Sequence, residues 1–212
     1  MPNRNETNPQ SEGGLVREDL AIRFVNTAAW RLRTPSEERL PDAAALLTWL
    51  KTNEVADPES LEVVLQAWQE DLERGRSIYE TAIGLREAIY SFLVARMTGQ
   101  APPPANVALF NQLLCRGAEG TELAWRSGDF AWCVRPYGND LALLTPIIVS
   151  AADLMTGPRA GRVKQCQDDR GCGWLFVDES RAQNRRWCSM GDCGNRAKAH
   201  RHYQRTREAE RF

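Results

Sequence analysis

Cys166-Gln167-Asp168-Asp169-Arg170-Gly171-Cys172 and, fifteen residues on, Cys188-Ser189-Met190-Gly191-Asp192-Cys193-Gly194-Asn195-Arg196 hold four of the six cysteines of this 212-residue chain. Two closely spaced pairs of thiols in an arginine-rich segment have the layout of a structural zinc site. A tetrahedral ion needs two sulfurs from each of two short turns. Five residues separate the first pair and four the second, so both turns are local. Four thiolates close the coordination shell and leave no position for water, which points to a structural ion and away from metal catalysis. The ligands read from this pattern are Cys166, Cys172, Cys188 and Cys193, holding one zinc. His200 and His202 are not needed to complete the set.

Working outward, Gly173-Trp174-Leu175-Phe176-Val177 is apolar and strand-like, Asp178-Glu179-Ser180 is turn-like, and Arg185-Arg186-Trp187 leads back to the second pair. This predicts a knuckle, a short hairpin and a second knuckle. No helix breaker follows Cys193, so a helix is expected from about Asp192 to about Arg207, with Cys193 in its first turn, where amide dipoles favour a thiolate. That order is the plan of a treble-clef-like finger ending in a basic helix. So few apolar residues cannot easily hold a fold alone, and the module is expected to need its metal.

The finger carries the positive charge. The chain has a net charge of −1, but residues 159–212 balance to +6 and residues 1–158 to −7. From Arg181 to Arg207 there are eight Arg or Lys against the single acid Asp192. Such a run on a metal-stapled helix suits phosphates along a groove. Arg185, Arg186, Arg196, Lys198, Arg201 and Arg205 are the expected DNA-backbone contacts. The competing reading is a solvated face, or a structural module clamped to the acidic half of the same chain and binding no nucleic acid.

The remainder reads as a mainly helical domain. Residues 1–14 hold no large apolar residue beyond Met1 and are expected to form a disordered arm. Leu20, Ile22, Phe24 and Val25 make a short element of undecided type, followed by Asn26. Pro41-Asp42 and Asp57-Pro58 open helices. The apolar face of the second continues to Met97, and Gly75 marks its bend or break. Phe110, Leu113 and Leu114 form another helix, ending at Gly117. The period then changes: Leu123 and Trp125, a turn at 127–129, and Phe130, Trp132 and Val134 alternate as a hairpin. Leu141–Leu144 reads as a further strand and 145–157 as a helix, with a linker at 157–161. Cys115 and Cys133 are expected in the core. The fold class is therefore α+β: a disordered arm at 1–14, a mainly helical domain with a small antiparallel sheet at 15–158, and the finger at 159–212.

The longest apolar run, 141–152, is interrupted by Thr145, Pro146 and Ser150, and the amino terminus is polar, so a cytoplasmic protein without a membrane span is expected. No phosphate-cradling glycine loop or catalytic triad is visible, and the chain is not read as an enzyme. Asn26 and Arg86, polar groups among apolar neighbours, are the candidate ligand contacts of the first domain; the plainer reading gives each a structural partner within the protein.

Cys193-Gly194-Asn195-Arg196, with Trp174 to Asp178 upstream and Arg185-Arg186-Trp187 before the second pair, resembles the CGNR zinc finger. Phe24-Val25-Asn26-Thr27, Glu38-Arg39-Leu40, Leu85 to Ala88 and Ser150 to Leu154 resemble the ABATE domain that accompanies it. The resemblance implies a stress-responsive transcription regulator whose finger binds DNA and whose first domain senses a small-molecule effector or mediates assembly.

Overall fold

The computed structural model describes residues 20–126 and 128–209; the arm read at 1–14 lies outside them. Seven α-helices and three two-stranded antiparallel sheets follow one another among the described residues. None of these helices is long and apolar enough to cross a membrane.

Helix α1 (Leu20–Val25) is short because all but Arg23 of its side chains are buried. It packs on α4 (Leu72–Thr98) and α6 (Thr145–Thr156), and Ser150 of α6 accepts from the Ala21 amide at 3.1 Å. Helices α2 (Ala43–Thr52) and α3 (Pro58–Glu70) begin where the sequence marks them. The Asp42 carboxylate accepts from the Ala45 amide at 2.8 Å and Asp57 from Ser60 at 2.9 Å, each satisfying a donor the first helical turn leaves open. Both helices lie against α4, and α5 (Pro104–Gly117) lies against α4 and α6. Between them Phe24, Leu50, Leu85, Ile89, Leu143, Ile147 and Ile148 have no exposed surface.

Three expectations need correction. The α3–α4 break falls at Asp71, not Gly75: Asp71 is extended, and its carboxylate accepts from the Arg74 amide at 3.0 Å, capping α4. Gly75 sits inside α4 for a packing reason, since a Cβ there would lie 3.1 Å from Trp68 Cβ. Leu141–Leu144 is not a strand but part of a buried 3₁₀ turn, Asp140–Leu144, that runs into α6. Its start is fixed because Asp140 is buried and accepts from Trp68 Nε1 at 2.8 Å and, bidentately, from Arg74 at 2.6 Å. Cys133 is buried, but Cys115 is exposed. The buried stripe of α5 runs through Phe110, Leu113 and Gly117, and two positions past Leu113 is about 200° round the helix.

Strands β1 (Ala28–Ala29) and β2 (Glu37–Glu38) bring Glu38 over α4. Strands β3 (Thr121–Arg126) and β4 (Asp129–Val134) form the expected hairpin, paired from Thr121–Val134 to Arg126–Asp129. Strands β5 (Val163–Gln165) and β6 (Leu175–Val177) pair as Val163–Val177 and Gln165–Leu175. Here too the expected order changes. Strand β6 turns back on residues before the first cysteine pair, so that pair forms the tip of the β5–β6 hairpin instead of preceding a hairpin of its own. Val163, Leu175 and Val177 pack into the same core as the helices.

Candidate metal centre and its basic helix

The Sγ atoms of Cys166, Cys172, Cys188 and Cys193 lie within 4.8 Å of one another. Cys172 is 3.8 Å from Cys188, and Cys188 is 3.7 Å from Cys193. A tetrahedron with metal–sulfur bonds of about 2.3 Å has sulfur–sulfur edges of about 3.8 Å, so the spacing suits one zinc ion. The thiol chemistry agrees. Hydrogen bonds from Cys172 and Cys188 pull the Cys166 thiol far below its usual range, to about 2. Those same bonds to Cys166 push Cys172 and Cys188 up, and burial pushes Cys193 up. A divalent cation held among them would let all four ionise. Bound there, zinc supplies folding free energy and no open coordination position.

Backbone turns aim the sulfurs. The Cys166 amide donates to Trp174 O at 2.8 Å, carrying the β5–β6 ladder to the metal, and the Gly171 amide donates to Asp168 O at 2.9 Å to close the first knuckle. The Gln167 amide donates to Arg186 O at 2.9 Å and ties the two knuckles together. In the second knuckle Ser189 Oγ accepts from the Asp192 amide at 3.2 Å, and a wide π turn, Met190–Gly194, carries Cys193. Helix α7 (Asn195–Ala209) therefore starts three residues later than expected, with Cys193 in the turn ahead of it.

The six basic residues read as DNA contacts separate into two groups. Arg196 Nη2 donates to Cys193 Sγ at 2.8 Å and to the buried Asp168 carboxylate at 2.9 Å, and its guanidinium covers Trp30. Arg185 Nη2 donates to Cys188 O at 2.9 Å and lies over Phe176, while its amide donates to Asp178. These two brace the metal site. Arg186, Lys198, Arg201 and Arg205 are exposed. Arg186 reaches Gln167 at 2.9 Å, and Arg201 reaches Ala197 O at 3.3 Å. All of residues 198–207 are exposed, so the helix stands free of the first domain beyond its first turn. His200 pairs with Asp169 at 2.6 Å, away from the thiols.

Sequence reading did not single out Asp168 or Asp178 as organisers of the finger. Asp178 has no exposed surface and accepts from Ser180 Oγ and Lys164 Nζ at 2.6 Å and from the Arg185 amide at 2.8 Å. Burial would raise its carboxyl, but the Lys164 and Ser180 bonds outweigh that and hold it well below the usual carboxylate range. Its place at the end of the Trp174–Asp178 motif was the only signal in the sequence.

Asn26 and Arg86, the candidate ligand contacts, both make hydrogen bonds within the protein. The Asn26 amide pairs with both backbone groups of Leu175: Nδ2 donates to Leu175 O at 2.9 Å, and Oδ1 accepts from the Leu175 amide at 2.9 Å. Arg86 is 3% exposed and donates to Glu38 at 2.6 and 2.7 Å, to Thr27 at 3.1 Å and to Glu87 at 2.9 Å. Glu87 also accepts from Arg31 at 2.8 and 3.1 Å. The Arg31 and Leu32 amides then donate to Cys172 O and Gly171 O, both at 3.2 Å. The approach is close: Gly171 has φ +86°, and a Cβ there would lie 2.6 Å from Arg33 Cγ. A separate cleft of about 330 Å³, lined by Arg74, Ser77, Thr81, Arg116 and Asn139, involves neither Asn26 nor Arg86.

Residues 18–158 match the family model ABATE, described as "Putative stress-induced transcription regulator", and residues 162–206 match the CGNR zinc finger. No curated protein matches the chain.

Proposed function

The chain belongs to the ABATE family and carries a CGNR zinc finger behind that domain, and from this premise we propose that it is a zinc-dependent transcription regulator of the cytoplasm whose finger binds DNA through α7. The first domain senses a ligand or mediates assembly in this reading. The observation that carries it is the exposure of residues 198–207 on a helix anchored only at its zinc end. His200 pairs with Asp169 and Arg201 lies over Trp187 near the start of this exposed stretch; phosphates would neutralise the cations it presents to solvent. Arg186, Lys198, Arg201 and Arg205 are the phosphate contacts, and Arg185 and Arg196 position the helix that presents them.

The clasp between Asn26 and Leu175 favours a second reading, a finger that serves only to complete the fold. Salt separates the two. If four cations meet phosphates, log K for duplex DNA falls against log salt with a slope of about −3 to −4. Reversing Arg201 and Arg205 together (R201E/R205E) should reduce that slope by about 2 and weaken binding without loss of zinc. Zinc-loaded protein that is not retained on duplex DNA at low salt would leave the structural reading standing.

A further inference from the structure

The β3–β4 hairpin has one face that the fold does not use. Side chains two apart on a strand, and those directly opposite on its neighbour, share a face. Leu123 pairs with Trp132 and Trp125 with Phe130, so all four large apolar side chains point to the same side. They are 55%, 49%, 64% and 63% exposed in that order. Trp125 and Phe130 meet edge to face at 4.8 Å, which fixes the outer half of the face as a rigid aromatic ledge. Beside it Glu122 and Arg135 pair with each other, so neither of these two is left to draw a polyanion.

We propose that this face is the interface of a homodimer, its occupant being the same hairpin of a second copy of the chain. With side-chain surfaces of roughly 150–250 Å² for large apolar residues, the exposed fractions amount to on the order of 500 Å² per copy. Full coverage of two such faces removes at most about 1,000 Å² from water, the lower bound for a specific interface and the size of a weak, concentration-dependent dimer. The other exposed large apolar side chains on regular elements of the described residues are distributed over α3, α4, α5 and α7. Among the described residues no other strand pair exposes four large apolar side chains, and a patch that meets its own copy does so about a two-fold axis. An antiparallel crossing sets the Trp125–Phe130 ledge of one copy over the lower Leu123–Trp132 pair of the other, and the reverse, so both copies gain the same contact.

This takes the assembly half of the reading above and rests on it; the DNA assay tests the finger, so either can fail without the other. Sedimentation equilibrium of the zinc-loaded full chain should give twice the 23.9 kDa chain mass. Trp125→Glu should raise the dissociation constant on the order of 30-fold or more, as expected at a central aromatic anchor. Tyr137→Glu, which alters an exposed aromatic outside the face, should leave the mass unchanged. Oxidative footprinting of the unaltered protein gives a second readout: Trp125 and Trp132 should be protected at concentrations where the dimer forms and reactive on dilution, with Tyr137 reactive throughout. A wild-type mass of 23.9 kDa at about 100 μM, where even a micromolar dimer is formed, would overturn the proposal. So would a dimer whose Trp125 and Trp132 stay reactive.

Discussion

Asn26→Ala should loosen the zinc finger from a position outside its coordination shell. The substitution deletes two hydrogen bonds of 2.9 Å to the amide and carbonyl of Leu175, a residue only 1% exposed. A buried donor or acceptor left without a partner costs about 1–3 kcal/mol. Asn26 is half-buried, so water can reach the vacated side, and the lower part of the range applies: about 2–4 kcal/mol for the pair. In a protein of this size about 1 kcal/mol moves Tm by roughly 2–4 °C. Calorimetry of the zinc-loaded variant should therefore show a Tm lower by about 5–10 °C. Zinc should also leave faster to a competing chelator, by a factor of about 5 to 30 if half the lost energy is expressed in opening of the finger. A Tm within about 2 °C of wild type, with unchanged chelator kinetics, would refute the idea that this amide couples the two parts.

Cys188→Ala should retain no zinc by elemental analysis, and a variant keeping one full equivalent would remove Cys188 from the ligand set. Because bound zinc contributes on the order of 10 kcal/mol to such modules, hydrogen exchange in Cys188→Ala should show β5 and β6 losing protection together with the knuckles. The carboxylates beneath the clasp set a dependence on pH. Burial raises the Glu38 and Glu87 carboxyls, but hydrogen bonds from Arg86 to Glu38 and from Arg31 to Glu87, with the charge of those arginines, leave both below the usual value. A depressed folded-state pKa gives stability that is full above the unfolded value and lost as pH falls through the folded one. The stability difference between wild type and Glu38→Gln, measured by urea unfolding, should accordingly be largest near neutrality and shrink below about pH 4. A difference that does not vary with pH would show that Glu38 is not ionised in this role.

What the sequence disclosed were features whose causes are local. Asp42 and Asp57 announce their helices because a cap acts within three residues, and the cysteine pairs announce a metal because each knuckle is one turn. Alternation through Leu123, Trp125, Phe130 and Trp132 gave the hairpin but not that its apolar face would be open, since alternation tells which side chains agree and not what they meet. The break at Asp71 was hidden because Gly75 is the stronger breaker in isolation, and only the close approach of Trp68 explains its place inside a helix. Leu141–Leu144 could not be typed from so short an apolar run; its conformation follows from Asp140, held by Trp68 and Arg74 far away in sequence. The arginines were equally opaque. Arg196 and Arg201 look alike in one dimension, and only the position of Asp168 and the Cys193 sulfur makes the first a brace and leaves the second exposed.

The pairing of Asn26 with Leu175 changes what the zinc can do. A finger on a free linker would transmit nothing to the domain before it, but here the contacts run without a gap from Glu38 through Arg86, Glu87 and Arg31 to the backbone of Cys172. A shift of the β1–β2 segment relative to α4 is thereby linked to the first knuckle, and displacement of the knuckle to the buried arginines Arg31 and Arg86 and their half-exposed carboxylate partners. Since Arg196 ties the base of α7 to Asp168 in that knuckle, the direction of the helix is set by the same contacts. On the proposed dimer this has a geometric consequence. Two helices held rigidly to their domains stand at one fixed separation, which selects one spacing between half-sites; two fingers on flexible tethers would accept many. Asn26→Ala should then weaken discrimination between half-site spacings more than it weakens attraction to DNA as such, because the cations of α7 are untouched by it.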